Sequence, residues 1–337
     1  MLLWFALPGL LGCKGARPLG DVSSIVLIPS EATLVTAAED PGVVEFRVEA
    51  TFENGFVDDD YDQVAWSHSN TIAGHLAADG VFTASDANGG RTWITVEAMG
   101  MTASGDLTVI YEESVQEEGL PDGAQSAFEG TPEDDGDLLQ WLYPESGVAL
   151  PRNLPTMAFN WNDDLGADLY RLEFTSSTTQ VEMITSQTSW ECSEELWKVI
   201  TATNAGGTVT VSLQAAKVLL DGEDIAGASA LYDGGSIDFQ VNRFDAFGSV
   251  YYWSTSRSGV MRGDLDQDEA EVWFSPTNGT TDSCVGCHVV SPDGERVAYT
   301  WQTVGVTEDF RVGMAALDEE NLPDPLLEMT EDRREGT

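Results

Sequence analysis

The residues whose types and spacing point most clearly to a chemical function lie together near the carboxyl end of the chain. They form the sequence Cys284-Val285-Gly286-Cys287-His288. Two thiols three positions apart can form thioethers with the two vinyl groups of one porphyrin, and the adjacent histidine can then ligate its iron. This spacing is the Cys-x-x-Cys-His pattern of c-type haem attachment. We therefore predict one covalent haem c, attached through Cys284 and Cys287, with His288 as the iron ligand.

Three other interpretations of this motif stay open. Half a zinc site would need a second pair of ligands, and the remaining histidines, His68 and His75, lie far away in the sequence. A redox disulfide usually belongs to a βαβ pattern, which does not surround this motif. A structural disulfide between Cys284 and Cys287, followed by a chance histidine, is the main alternative.

The other sulfur-bearing side chains have less specific roles. Met261, Met314 and Met329 are candidate distal ligands of the iron, although a methionine in a strand more often fills a core, and a five-coordinate iron fits the motif equally well. Cys192 lies in a tryptophan-flanked segment without a nearby partner cysteine. We predict that it packs in the interior.

Residues 1–13 form a short apolar run that ends at Leu10-Leu11-Gly12-Cys13. Such a run is typical of a secretory leader and is too short to span a bilayer as a lasting helix. Its end resembles a bacterial lipobox, although no Lys or Arg precedes Cys13. The resemblance implies cleavage before Cys13, lipidation of its thiol and a membrane anchor. We expect an outer-membrane lipoprotein of the bacterial cell envelope, facing the periplasm or the cell surface.

Composition restricts the class of partner. The chain has 15 basic and 58 acidic residues, a formal net charge of −43, so it repels nucleic acid, whose binding requires clustered Lys and Arg. Its 337 residues, 42% of them hydrophobic, suggest two or three domains with sizeable cores. No Gly-x-Ser-x-Gly, His-Glu-x-x-His or phosphate loop occurs in the sequence, and we predict no enzymatic activity.

Residues 22–111 alternate apolar and polar positions in short runs separated by turns, which is typical of a β-sandwich. Asn54-Gly55 and Asp79-Gly80 predict tight turns, because glycine and asparagine tolerate positive φ. The order Ile-Pro, Ala-Thr-Phe-x-Asn-Gly, Val-x-Trp-Ser-x-Ser-Asn, Asp-Gly-Val-Phe-Thr-Ala and Leu-Thr-Val resembles a bacterial Ig-like domain of the Big_2 type. The resemblance implies a spacer or adhesive module, with a surface glycan or protein as its ligand.

Two further regions precede the haem motif. Residues 112–141 are rich in Glu, Asp, Gly and Pro, which predicts an extended acidic linker. Residues 142–248 return to alternating patterns, and Phe-x-Trp followed by Tyr-Arg-Leu-Glu-Phe resembles a fibronectin-III-like sandwich. Within it, Ser193 to Val199 predicts a helical turn.

Residues 249–337 surround the motif with strand-like runs. Ser291-Pro292-Asp293-Gly294 resembles the repeat turn of TolB-type (PD40) β-propellers, in which Pro presets φ and Gly returns the chain. The region supplies material for one or two blades, which predicts a truncated propeller. The expected fold class is thus all-β: an Ig-like sandwich, a fibronectin-III-like sandwich and propeller-type strands.

These features together predict an exported, lipid-anchored protein whose single haem serves electron transfer or redox sensing with a partner protein. The alternative is a non-redox adhesion or scaffold protein of the cell surface, in which Cys284 and Cys287 form a disulfide. Most of the chain is sandwich and linker sequence, and that favours the alternative, since function resides in sites rather than in folds.

Overall fold

A computed structural model of the chain describes residues 20–134, 137–257, 259–265, 270–274, 283–293, 295–303, 310–316 and 324–328. Within these residues almost all regular structure is β, and the predicted all-β fold class is confirmed. No helix in this part of the chain is long and apolar enough to cross a membrane. Cys13 and Met329 lie outside the described residues, so the lipid anchor and that candidate ligand stay predictions.

The first sandwich contains ten strands, of which β2, β6, β9 and β10 belong to one large sheet and the others form two three-stranded sheets packed against it. The strands are β1 (Val22–Ile28), β2 (Glu31–Thr36), β3 (Val43–Glu45), β4 (Arg47–Phe52), β5 (Val57–Asp58), β6 (Ala65–His68), β7 (Gly74–Leu76), β8 (Val81–Ala84), β9 (Gly90–Ala98) and β10 (Met101–Gln116). Their inward residues form one core around Phe46, Phe82, Ile94 and Leu107, each at most 1% exposed. The alternation seen in the sequence produces this core.

Local chemistry sets the turns of this sandwich. Gly55 and Gly80 both have positive φ, 81° and 88°, and the side chains of Asn54 and Asp79 accept hydrogen bonds from the N–H groups of Phe56 and Val81. Both predicted turns are therefore confirmed.

The run from Val43 to Ala50 is divided, since β3 and β4 belong to different sheets. Between them lies the buried Phe46, whose N–H donates to the carbonyl of Gly80. The chain thus changes sheets at a residue that both layers bury.

The second sandwich packs the remainder of the large sheet against a three-stranded sheet ordered β12-β14-β17. Its strands are β11 (Glu133–Asp134), β12 (Leu139–Tyr143), β13 (Val148–Leu150), β14 (Ala158–Asp163), β15 (Leu169–Thr175), β16 (Thr179–Thr185), β17 (Ser189–Glu191), β18 (Thr208–Asp221) and β19 (Asp224–Val241). The helical turn predicted near Ser193 is a full helix, α1 (Glu194–Thr203), and the Ser193 hydroxyl caps it by accepting from the Leu196 N–H. Trp197 of α1 is fully buried in the core.

The segment 112–141, for which we predicted an extended linker, contains regular structure that belongs to the second sandwich. β10 continues to Gln116, and a 3₁₀ helix at Ala124–Phe128 buries Ala124, Ala127 and Phe128 against Leu169 and Ile184. The acidic composition hid these contacts, because every second position in a strand can face water while its neighbours pack inward.

One strand joins the two sandwiches. Residues 106–111 of β10 pair with β2, and residues 111–116 pair in parallel with β16 of the second sandwich. The pairing of β9 with β10 ends at Gly90, opposite Val109. Two residues further along β10, the Tyr111 N–H donates to the carbonyl of Thr178 in the second sandwich. The two cores therefore share a continuous hydrogen-bonded ladder.

Asp163 organises the loop between β14 and β15. Its carboxylate accepts hydrogen bonds from the Tyr170 hydroxyl at 2.6 Å and from the N–H groups of Leu165, Gly166 and Ala167 at 2.7, 3.1 and 2.7 Å. Burial opposes ionisation of this carboxyl, but the four donors outweigh it and lower the pKa of Asp163 below its ordinary value.

We expect Asp163→Asn to lower the free energy of unfolding by about 1.5–3 kcal/mol near neutral pH, because the amide group turns a donor toward the N–H groups. The difference should be present above the unfolded-state pKa near 3.8 and should vanish as pH falls through the lower folded-state pKa of Asp163. Urea unfolding at several pH values measures it. Asp164→Asn, at the exposed neighbouring carboxylate, is the charge-matched control, and an equal loss in both variants would contradict the assignment.

Candidate functional site

The Cys-x-x-Cys-His motif lies in the second of two packed antiparallel sheets near the carboxyl end of the chain. The first sheet contains β20 (Ser249–Ser254), β21 (Gly259–Asp264) and β22 (Glu271–Phe274), and the second contains β23 (Ser283–Val290), β24 (Arg296–Thr303), β25 (Phe310–Ala316) and β26 (Asp324–Glu328). Val260, Trp273, Val297 and Tyr299 form a small core between them. Each sheet follows chain order, as a propeller blade does, and the propeller itself stays a prediction.

The Ser-Pro-Asp-Gly turn connects β23 to β24. The Ser291 N–H donates to the carbonyl of Arg296, the Arg296 N–H donates to the Ser291 hydroxyl, and the Asp293 carboxylate accepts from the N–H of Glu295 and from the Ser291 hydroxyl. The two bonds to the Asp293 carboxylate, from the Ser291 hydroxyl and the Glu295 N–H, lower the pKa of that carboxyl. The turn fixes the register of β23, which carries the motif.

The motif itself contains a β-bulge. Val285 pairs with Trp301 and His288 pairs with Tyr299, so Gly286 and Cys287 together lie opposite one residue, Thr300. One extra residue in a strand increases the local twist and redirects the following side chains. Glycine in the bulge is compatible with this irregular backbone.

Cys287 lies in the bulge and His288 directly follows it, and the two residues differ in their surroundings. The His288 side chain is half-buried, and its Nε2 lies 3.5 Å from the carbonyl oxygen of Tyr251 in the facing sheet. Cys287 is exposed and its thiol is free. The backbone of Cys284 pairs with Gln302, while the Cys284 side chain lies outside the described part of the structure.

These positions test whether the residues fit a c-type haem. Thioether formation by Cys287 and iron ligation by His288 require both side chains to reach one macrocycle. In β23 the Cys287 side chain is exposed, whereas the His288 imidazole is half-buried against the facing sheet. Attachment of one macrocycle would require both side chains to turn toward it, and the haem stays a prediction.

Two of the candidate distal ligands, Met261 and Met314, lie in the described part of these sheets. Met261 is buried and follows Val260 of the small core at an irregularity of β21. Met314 is 39% exposed and pairs with Ala298, next to exposed Val289. Among the described residues, no group of three or more His, Cys, Asp or Glu side chains is placed to hold a metal ion.

Cys192 lies in the core of the second sandwich, 1% exposed, as predicted for a packing residue. Its burial raises the pKa of the thiol. The two described thiols thus differ sharply in access to solvent, because Cys287 is exposed.

The inward direction of His288 was not predicted from the sequence. One available signal was the run Cys287-His288-Val289-Val290, in which alternation places His288 in phase with Val290, a residue packed on the small core.

Comparisons with known proteins give no family. No protein-family model matches the chain, and no curated protein matches its sequence. Among solved structures, domains 4 and 5 of the S-layer protein SbsC are 11% identical with a TM-score of 0.22, covering 66% of this chain and 99% of that one. The four N-terminal Ig domains of Dscam1 isoform 9.44 (8% identical, TM-score 0.19) cover 66% and 47%, and the titin Ig tandem A164-A165 (7%, 0.19) covers 63% and 93%. Likenesses this slight carry no argument about function.

We expect alkylation of the folded protein with iodoacetamide to modify Cys287 quickly and Cys192 only after unfolding, because a thiolate must be accessible to react. Mass spectrometry of timed digests measures both rates, and Cys287→Ser should remove the fast site. A Cys287 that resists modification until a reductant is added would indicate the Cys284–Cys287 disulfide. Resistance that persists in reductant would indicate a thioether.

Proposed function

We propose that this chain is an exported, lipid-anchored scaffold protein of the bacterial cell envelope. In this proposal the two joined sandwiches form a stem that holds the carboxyl-terminal sheets, with the Cys284–Cys287 pair, away from the membrane. The apolar leader ending at Cys13 supports export and anchoring. The excess of acidic residues argues against binding to nucleic acid.

The observation that carries the proposal is the shared strand β10. Inter-domain contacts within a chain usually permit relative motion unless the interface is large. Here the Tyr111 N–H donates to Thr178 and the Glu117 N–H donates to Ile184, at the two ends of a six-residue parallel ladder. Such a ladder resists bending between the sandwiches, which is a property a stem needs and a flexible linker lacks.

Side chains strengthen the same junction. The Glu117 carboxylate accepts from the N–H and the hydroxyl of Ser186 at 2.8 and 3.0 Å and from the Thr185 hydroxyl at 2.8 Å. The Ser186 N–H is the largest cause of a lowered pKa of Glu117. The Gly89 N–H donates to the Thr203 hydroxyl of α1 at 3.1 Å. Contacts therefore come both from the residue that follows β10 and from the residue that precedes β9.

Gly89 lies where the two sandwiches pack tightly together. A Cβ at this position would lie 2.1 Å from the Thr178 carbonyl oxygen and 2.8 Å from that of Val109. Both obstacles are backbone atoms, so a side chain requires the strands to separate.

We expect Gly89→Ala to lower the free energy of unfolding by about 1–3 kcal/mol through this overpacking, and to separate the thermal unfolding of the two sandwiches. Differential scanning calorimetry should show one main transition for the native chain and a split or broadened one for the variant. Gly263→Ala is the matched control, since its new Cβ meets only the Ala270 side chain, at 3.6 Å. Identical calorimetric profiles for the two variants would mean that the junction does not couple the sandwiches.

Haem-dependent electron transfer or redox sensing is the second candidate, favoured by the completeness of the Cys-x-x-Cys-His motif. When bound, such a group would supply one-electron chemistry. It requires Cys287 and His288 to turn toward one macrocycle, whereas in β23 Cys287 is exposed and His288 lies against the facing sheet.

A pyridine haemochrome spectrum decides between the candidates. The protein is expressed with the periplasmic haem-attachment system, and on the scaffold proposal we expect no c-type α-band after acid–acetone extraction. The double variant Cys284→Ser, Cys287→Ser is the control for any band that survives. A covalent band lost in this variant would establish the haem and replace the scaffold proposal with electron transfer.

A further inference from the structure

The outer face of the first sandwich's large sheet carries an exposed tryptophan. Along β9, Thr92, Ile94 and Val96 are buried, while Arg91, Trp93 and Glu97 face solvent. Trp93 is 58% exposed. An indole on the solvent-facing side of a strand, where polar residues are usual, places a flat apolar surface among hydrogen-bonding groups.

The backbone of Trp93 is held on both sides. Its N–H donates to the Ser69 hydroxyl at 2.9 Å, and its carbonyl accepts from the Ser69 N–H at 3.1 Å. On the other side, Trp93 pairs with Asp106 of β10. Because a neighbour fixes each edge of the strand, the indole is mounted on a rigid support rather than on a loop.

Polar side chains surround this indole. The β10 residues that pair with the outward positions of β9 are Thr102, Ser104, Asp106 and Thr108. Directly opposed residues have Cβ atoms about 5 Å apart, so the Asp106 carboxylate lies beside the indole. Hydroxyl, carboxylate and guanidinium groups thus border one aromatic surface.

A cavity opens at the end of the same face. It has a volume of about 610 Å³, and its lining includes Glu97, Thr102, Gln63 and Met99. Trp93 and Glu97 are four residues apart on one strand, roughly 13 Å at the usual rise. The aromatic surface and Glu97 of the cavity lining thus lie on one strand, within the span of a short run of sugar rings.

We propose that this face binds an uncharged polysaccharide, with Trp93 stacking on a sugar ring and Glu97, Thr102 and Asp106 binding its hydroxyl groups. The C–H groups of a pyranose ring are weakly positive and suit the negative face of an indole. Carboxylates and hydroxyls suit the many donors and acceptors of a sugar.

Charge and polarity select this ligand over others. The chain has a net charge of −43, and Asp106 and Glu97 add local negative charge against one cation, Arg91, so a sulfated or uronic-acid polymer is repelled. A protein interface would present a cluster of apolar residues at its centre. Here the neighbours of Trp93 on β10 and β9 are polar, which suits a hydroxyl-rich ligand.

Affinity electrophoresis of the full chain tests the proposal. Native gels contain soluble starch, laminarin, galactomannan or hydroxyethyl cellulose, and polygalacturonate serves as the polyanionic comparison. We expect at least one neutral polymer to retard the native chain, and Trp93→Ala to weaken that binding at least tenfold. Trp93→Tyr, which keeps an aromatic face, should retain most of it.

Trp253→Ala is the matched control, because Trp253 is a second exposed tryptophan, 40% exposed, in the carboxyl-terminal sheets. It should bind as the native chain does. Thermal unfolding of each variant verifies that folding is intact, and Glu97→Gln provides an independent variant on the same face. Retardation by none of the neutral polymers, equal retardation of Trp93→Ala and the native chain, or binding only to polygalacturonate would each overturn the proposal.

Discussion

The architecture depends on the parallel pairing of β10 with β16. β9 stops pairing at Gly90, which leaves the edge of β10 open beyond Val109, and β16 occupies that edge from Tyr111 onward. An open edge of a sheet must be paired, covered or charged. Here β16 of the second sandwich pairs with this edge. The hydrogen bonds that satisfy the backbone groups of β10 therefore also hold one core next to the other. The position of Gly89 follows, since any larger residue would enter the junction.

The same strand shows why the domain organisation was only partly predictable. The strands of both sandwiches follow from alternation, as in Trp93–Ala98 and Leu169–Phe174. Residues 112–116 contain one apolar residue, the partly buried Val115 packed on the second core, and their glutamates indicated a linker. Whether such a strand finds a partner depends on β16, more than sixty residues later in the sequence. A local pattern does not contain that information.

The candidate site illustrates a different limit. Residue types and spacing specify which groups are available, and the motif from Cys284 to His288 offers two thiols and an imidazole. The conformation decides whether they converge. Cys287 lies in a bulge and is exposed, while His288 pairs with buried Tyr299 and its imidazole lies near the Tyr251 carbonyl of the facing sheet. Spacing therefore predicted the chemistry available and could not predict the direction of each group.

For Trp93 the opposite holds. The sequence predicts that its side chain faces solvent, but it does not predict that the side chain belongs to a binding site. Ile94 and Val96 identify the alternate residues of β9 that face the core. The other set of alternate residues, which includes Trp93, must therefore face outward. Three of those outward residues, Arg91, Thr95 and Glu97, are polar as expected, and the tryptophan is the exception. A single exposed apolar side chain needs no special explanation. What gives this one a chemical meaning is the tertiary setting: a fixed backbone, Asp106 on the neighbouring strand and a cavity lined by Glu97 of the same strand. A departure from the binary pattern becomes evidence for a site only where neighbouring strands supply the groups that a ligand would need.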